Sequence, residues 1–600
     1  MGPDLIHNRL LIAALPEIIS PLTTLFNKSL SQGIFPSIWK TAHVTPIYKK
    51  KGDRSICTNY RPISLLSCVG KLLEKCVQKR FFNFIKTNNL ITPSQSGFTP
   101  GDSTVYQLLF IYDDFCKSLD NATSLQAIFF DISKAFDKVW HRGLLHKLNA
   151  IGIRGQLLTW FQNYLDNRSQ AVVIKGSKSD YLPINAGVPQ GSVLGPILFL
   201  VYINDITKDI TSTIKLFADD TSTYLSLNDN ITRGEILNSD LNKIHKWATE
   251  WKVSFAPEKT DLLNVCQPNR NLDNILKFSN SELSPCEYHK HLGIILQGNC
   301  KWDNHIRHIQ SSCRTLINCL RSFKYRLNRK SLEIMYKSFI LPLFDYADII
   351  YDNCTQTQAE SLEELHLDAL RTIIGTVRGT SHELIYIESG FIPLKERRKR
   401  HKLLLYFKFV NNRLPNHINT KFPALITDHN PHHLRRPLDR YIPGSNTELY
   451  KNSFFPSTTS LWNELPEDIQ ATNSLSFFKR YLNRNDKSIP PHYYTGNRLE
   501  QVAHCKLRLG MSDLNYDLVN RHLRENARCN CGADNETANH FFLECNKYTV
   551  ERSLTIFHLP PLSRNTHTLL YGSPEYSLSF NDFIFSVAQE FIQITKRFAQ

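Results

Sequence analysis

Two aspartates side by side, Asp219 and Asp220, interrupt the apolar stretch "KLFADDTSTYLSL" at residues 215–227. Adjacent carboxylates raise each other's pKa unless a cation lies between them, so a fold that buries both flanking runs must turn here and carry the pair to the end of a sheet. Mg²⁺ suits such a pair, because it takes oxygen ligands from one or two carboxylates plus substrate phosphates. Taken alone, Ala-Asp-Asp is more often a surface turn. A third acid shifts the weight: "AIFFDISKAFDKVWH" puts Asp131 directly after the apolar strand 127–130. If the two acid-bearing strands are neighbours in one sheet, three carboxylates converge and would hold two metals about 3.5 to 4 Å apart, the arrangement used for in-line phosphoryl transfer.

The surrounding pattern supports an α+β core. "QAIFFDI" predicts a buried strand, "GLLHKLNAIGI" an amphipathic helix, "QAVVIKG" a strand and "LGPILFLVYINDI" an apolar helix. Upstream, "KLLEKCVQKRFFNFIK" reads as helix and "HVTPIYKKKGD" as extended chain; residues 310–375 read as helices and 381–500 as mixed, with Pro-bearing loops near 414–456. Six hundred residues exceed a single core, and 42% hydrophobic with 21% charged residues describes a folded chain rather than a disordered one. Lys and Arg outnumber Asp and Glu by 71 to 55, and residues 1–100 alone hold 13 basic against 4 acidic side chains. With the second cluster "KERRKRHK" at 395–402, this excess favours polyanions, although a solvated basic surface has the same composition. No apolar run reaches the roughly 20 residues of a membrane span. The scattered cysteines and the absence of a signal peptide at "MGPDLIHNRLLIAALPEIIS" predict a reducing, intracellular setting, not secretion.

Eight ordered blocks then carry a resemblance: "PSIWKTAHVTPIYKKKGD", "NYRPISLLSCVGKLLEK", "QSGFTPGDST", "FFDISKAFDKVWH", "NAGVPQGSVLGPILFLVYINDI", "LFADDT", "WKVSFAPEKT" and "HKHLGIIL". Together they resemble the reverse transcriptases of non-LTR retrotransposons, of the LINE type with jockey-like elements among them. The resemblance implies an α+β right-hand polymerase. Its parts would be an N-terminal extension and fingers (1–125), a palm with interleaved fingers (126–300), a helical thumb (301–378), a connecting region (379–500) and a C-terminal Cys/His region (501–600). It further implies that Asp131, Asp219 and Asp220 bind two catalytic Mg²⁺ ions. Phe136 would stack under the sugar and exclude a ribonucleotide 2′-hydroxyl, or else be a plain core aromatic. Gln190 and Gly191 would line the nucleotide and template pocket. Lys49 and Arg61 would hold the triphosphate, with Lys50 or Lys51 as substitutes for Lys49. Lys259 would protonate pyrophosphate, unless it is ordinary surface charge. "HLGIIL" would grip the primer end, and Arg307, Arg314, Arg321, Lys324 and Arg326 would touch phosphates from the thumb.

The tail "CNCGADNETANHFFLEC" spaces Cys529, Cys531, His540 and Cys545 as C-x-C-x8-H-x4-C. Three thiolates and one imidazole suit tetrahedral Zn²⁺, against the alternative of a small core holding reduced cysteines. The expected partners are an RNA template, a DNA primer or target and deoxynucleoside triphosphates, with no membrane. Elements of this kind usually carry an endonuclease upstream, so such a domain or protein is expected from outside these residues. The expected location is intracellular, nuclear or shuttling with ribonucleoprotein. The competing reading is a truncated, catalytically silent remnant that only binds nucleic acid.

Overall fold

The computed structural model describes residues 2–50, 52–256, 259–267, 270, 272, 274–279, 281–429, 436–486 and 488–598. Its strands are β1 Thr41–Tyr48, β2 Tyr60–Leu65, β3 Ser124–Phe130, β4 Arg168–Ile174, β5 Ser177–Lys178, β6 Leu182–Ile184, β7 Thr213–Phe217, β8 Asp220–Leu227, β9 Asp261–Val265, β10 Lys277–Phe278, β11 Ser281–Glu282, β12 Pro285–Cys286, β13 Tyr288–His291 and β14 Ile294–Gln297. One sheet runs β12-β9-β3-β8-β7, and a second holds β2-β1-β4-β5 with β6 also on β4. β3 sits at the centre of the first sheet and is buried along its whole length, which is why SLQAIFF is nearly continuous in apolar side chains. The acid-bearing strand β7 is not its direct neighbour: β8 lies between them, antiparallel to both.

Strand alternation gives the central sheet two different faces. Ile128 and Phe130 face the larger core, with Leu144 and Leu148 of the helix His141–Ala150, Trp160 and Phe161 of Gly155–Leu165, and the apolar helix Gly195–Ile203. On the opposite face Tyr224, paired with Ala127, meets Phe115 of the helix Thr104–Asp120 edge-on at 6.0 Å. Further along that face, Phe129 is covered by the β13–β14 hairpin through His289. Beyond Phe129 comes Asp131, so this is the end of the sheet where polar chemistry sits.

The chain divides into two compact units. The first is Met1–Cys300 with two later segments, Asn412–Phe422 and Ser445–Tyr450; the second is the remainder. The first later segment places the Lys421 ammonium on Asp113 and Asp114, and the second donates the Asn446 and Thr447 amides to Asp120 at 2.9 and 2.7 Å. The second unit is helical, with Asp303–Ser322, Gln356–Ile374 and Leu394–Val410 among its longer helices, the second opened by a Thr355–Gln358 capping box. Gln358 supplies the N3 side chain that such a box requires.

One expectation from charge is corrected here. The cluster "KERRKRHK" does not offer a basic face to a polyanion, because most of its cations are used inside the unit. Arg397 grips Asp345 with two bonds of 2.9 and 2.6 Å, Arg398 and Lys402 hold Asp352, Arg400 holds Asp486, and His401 meets Asp348 at 2.6 Å. Only Lys395 and Lys399 of the cluster are exposed. Along the helix Asp303–Ser322, by contrast, Arg307, Arg314 and Arg321 recur at intervals of seven on the exposed side, with Arg321 bonded to Asp368. No helix among the described residues is long and apolar enough to cross a membrane.

Candidate active site

Asp219 lies in the turn after β7, Asp220 opens β8, and Asp131 follows the last residue of β3. Because Phe130 pairs with Thr221, one more step along the ladder brings Asp131 beside Asp220. Burial, then the charge of Asp131, pushes the Asp219 carboxyl above its ordinary range, while Arg61 partly offsets the rise. Asp220 is pushed up to about 6 by burial, by Asp219 and by Asp131. The charge of Asp131 thus acts on both members of the pair, as a like charge sharing one site must. Lys259 Nζ lies 2.9 Å from Asp131 Oδ2 and supplies positive charge at the same edge.

The turn that carries the pair is held from beneath by residues the sequence patterns did not single out. Ala218 takes a left-handed φ of +57°, uncommon for a residue with a Cβ. Its N–H donates to Gln95 Oε1 at 3.0 Å, and the same oxygen accepts from Gly97 N at 2.8 Å. Main-chain bonds Ser96 N to Leu216 O and Leu216 N to Ser94 O, both 2.9 Å, zip residues 94–96 along β7. A Cβ at Gly97 would stand 2.3 Å from Ala218 N, so only glycine permits this approach. The one signal available was "QSGF" itself: a polar residue that ends up 4% exposed, beside a glycine.

The remaining predicted residues fall into two groups. Arg61 on β2 is exposed, and its charge reaches Asp219. Gly191, at φ +127°, brings its Cα against β2 so closely that a Cβ would meet Ser64 O at 2.5 Å, while Gln190 O accepts from Ser64 N at 2.7 Å. Gln190 also lines a cavity of about 230 Å³ with Pro62, Ser64, Lys134 and Arg168. Glu74, buried and pushed up by that burial against its hydrogen bonds, accepts from Val193 N at 2.7 Å and Leu194 N at 3.1 Å, capping the helix that follows the Gln190 loop. Phe136 stacks on Phe199 at 4.9 Å and remains half-buried, its carbonyl tied to Val188 N at 2.8 Å. Lys49 Nζ donates to Thr58 O at 2.9 Å within the β1–β2 loop. Lys50 has a left-handed φ of +57°, and Lys51 lies outside the described residues.

At the other end of the chain, the ligand atoms of Cys529, Cys531, His540 and Cys545 all lie within 4.8 Å of one another. Cys529 Sγ and Cys545 Sγ are 3.7 Å apart, and Cys531 Sγ is 3.2 Å from His540 Nε2. For Zn–S bonds of about 2.3 Å, a tetrahedron sets sulfurs about 3.8 Å apart, so the donor set has the dimensions of a zinc site.

Residues 47–296, which span the three aspartates, Arg61, Gln190 and Lys259, match the family model for reverse transcriptase (RNA-dependent DNA polymerase). In this segment the chain is similar to reverse transcriptases, those of jockey-like mobile elements among them. The RNA-directed DNA polymerase from mobile element jockey of Drosophila melanogaster is 30% identical over 386 residues, 62% of this chain and 42% of that protein. The probable RNA-directed DNA polymerase from transposon BS, also of Drosophila melanogaster, is 28% identical over 422 residues, 67% of this chain and 45% of that one. The chain thus spans less than half the length of these relatives. Among solved structures, apo telomerase from Candida tropicalis aligns with a TM-score of 0.36 and 11% identity over 67% of this chain and 68% of its own.

Proposed function

We propose that this chain is an RNA-directed DNA polymerase of a non-LTR retrotransposon, extending a DNA 3′ end on an RNA template. The observation that carries the reading is the convergence of Asp131, Asp219 and Asp220 at one end of the central sheet, inside the matched domain. Their oxygen donors and mutual repulsion fit hard divalent cations, and they would hold two Mg²⁺ ions. When bound, such ions lower the pKa of the primer 3′-hydroxyl and neutralise charge on the leaving pyrophosphate.

The chain's own groups do the rest. The primer 3′-oxygen attacks the α-phosphorus of a deoxynucleoside triphosphate, the bond from that phosphorus to the bridging oxygen of pyrophosphate breaks, and the hydroxyl proton leaves to water. Arg61 orients the triphosphate, since a guanidinium presents paired donors to phosphate oxygens. Lys49 joins it only after leaving Thr58. Gln190 and Gly191 line the nucleotide and template, Phe136 sits under the sugar and disfavours a 2′-hydroxyl, and Lys259, once released from Asp131, delivers a proton to pyrophosphate. The tail would bind Zn²⁺ through Cys529, Cys531, His540 and Cys545, cross-linking the end of the chain. RNA template, DNA primer and an endonuclease from outside these residues complete the set of partners, in an intracellular setting, nuclear or shuttling with ribonucleoprotein.

Primer extension on an annealed RNA template tests the reading. Wild type should incorporate deoxynucleotides with Mg²⁺ and stop with EDTA. Tight RNA binding without incorporation under any divalent metal would instead favour the silent remnant, which no feature of the site supports.

A further inference from the structure

The face of the central sheet that carries Asp131 is covered in two steps. Thr104–Asp120 covers it near Ala127 and Tyr224, and the β13–β14 hairpin covers it at Phe129. The hairpin itself is tight: Leu292 and Gly293, at φ +44° and +92°, make its two-residue turn, the primed geometry that suits strand twist. His289 is one of the side chains that fasten it to the sheet. The His289 ring lies flat on Phe129, with centroids 4.0 Å apart and planes 12° from parallel, and its Nδ1–H donates to Asp261 Oδ2 at 2.6 Å. Phe129 and Asp261 are cross-strand partners on one face, so His289 grips both members of a single pair. Alternation puts Asp131 two residues beyond Phe129 on that face, about 7 Å further along the strand. His291, on the same side of the hairpin, packs against Phe129 at 4.9 Å but is buried, and that burial first holds it down to about 3, so it serves as a neutral core residue.

We propose that His289 is a positioning residue for polymerisation: through Asp261 and Phe129 it sets the height of the 288–297 hairpin, and with it the primer 3′ end, over the aspartate row. The proposal rests on the polymerase reading above. An aliphatic residue at 289 would lose the ion-assisted hydrogen bond, and a phenylalanine would keep the ring stack without it.

Steady-state primer extension by the full chain separates these roles, comparing wild type with His289→Ala, His289→Phe and Asp261→Asn. The expected result is a kcat lowered about tenfold in His289→Ala, with the deoxynucleotide KM within about twofold of wild type, because a primer 3′ end set at the wrong height is misplaced for attack. His289→Phe should recover part of the loss, and Asp261→Asn should share it. An unchanged kcat in His289→Ala and Asp261→Asn, or a rise in primer–template KM with kcat unchanged, overturns the proposal while leaving the polymerase reading intact. A wild-type chain that makes no product overturns both.

Discussion

At the scale of single residues, the account turns on how the Ala218–Asp220 turn is held. Gly97→Ala should be the most damaging small change outside the aspartates, because its new methyl would meet the Ala218 backbone at 2.3 Å and push the turn off its position. Overpacking of this kind costs about 1 to 3 kcal/mol, so a folded protein with polymerase activity lowered by about 100-fold or more is expected. Thermal unfolding beside primer extension checks both halves. Gln95→Leu strips the shared acceptor from the Ala218 and Gly97 amides, and leaving buried donors unpaired costs about 1 to 3 kcal/mol each. Activity retained at wild-type rate in both variants would show that the turn needs no support from residues 94–97.

At the scale of elements, charge in the helical unit is structural. Glu388 lies 4% exposed between Arg329 and Arg508, bonded to Arg329 Nη1 at 3.0 Å and to Arg508 Nη2 at 2.5 Å. Burial alone would raise its carboxyl, but the two guanidinium groups overcome this and hold it below the ordinary 4.5. A folded-state pKa below the unfolded value means stability that is present above pH 4.5 and is lost as pH falls through the lower folded value. Glu388→Gln should therefore destabilise the chain near neutral pH by about 3 to 5 kcal/mol, since it leaves two buried cations short of a partner. The same variant should flatten the acid limb of a denaturation profile below pH 4.5. An acid limb identical to that of wild type would contradict this.

Elements also show what sequence could reveal. β3 and the helix Gly195–Ile203 were legible because a chain covered on both sides has to be apolar throughout. The Asp219–Asp220 turn was legible because charge between two buried runs has nowhere else to go. The support from Gln95 and Gly97, the cap from Glu74 and the clamp from His289 were not, because each is a contact between residues more than a hundred positions apart or on unrelated elements or, for His289, a choice of face that register alone fixes. The inward use of "KERRKRHK" was hidden for the same reason: its acids come from residues 345–352 and 486.

At the scale of the whole molecule, the tail and the polymerase make separate predictions. Cys529→Ala or Cys545→Ala should release one equivalent of zinc from purified protein, measured by elemental analysis, and destabilise the 501–600 region, because a structural zinc site contributes folding energy directly. Protein that carries no zinc when purified from zinc-supplemented cells, yet keeps this region folded, would reduce the cluster to a core of free thiols. The central claim is tested most directly by single-turnover primer extension on an RNA template with Mg²⁺, comparing wild type with Asp219→Asn. The account predicts metal-dependent DNA synthesis by wild type and a loss of about 1,000-fold or more in the variant, with primer–template binding retained, as expected when a group acting mainly in the transition state is removed. Synthesis by Asp219→Asn at the wild-type rate would contradict it.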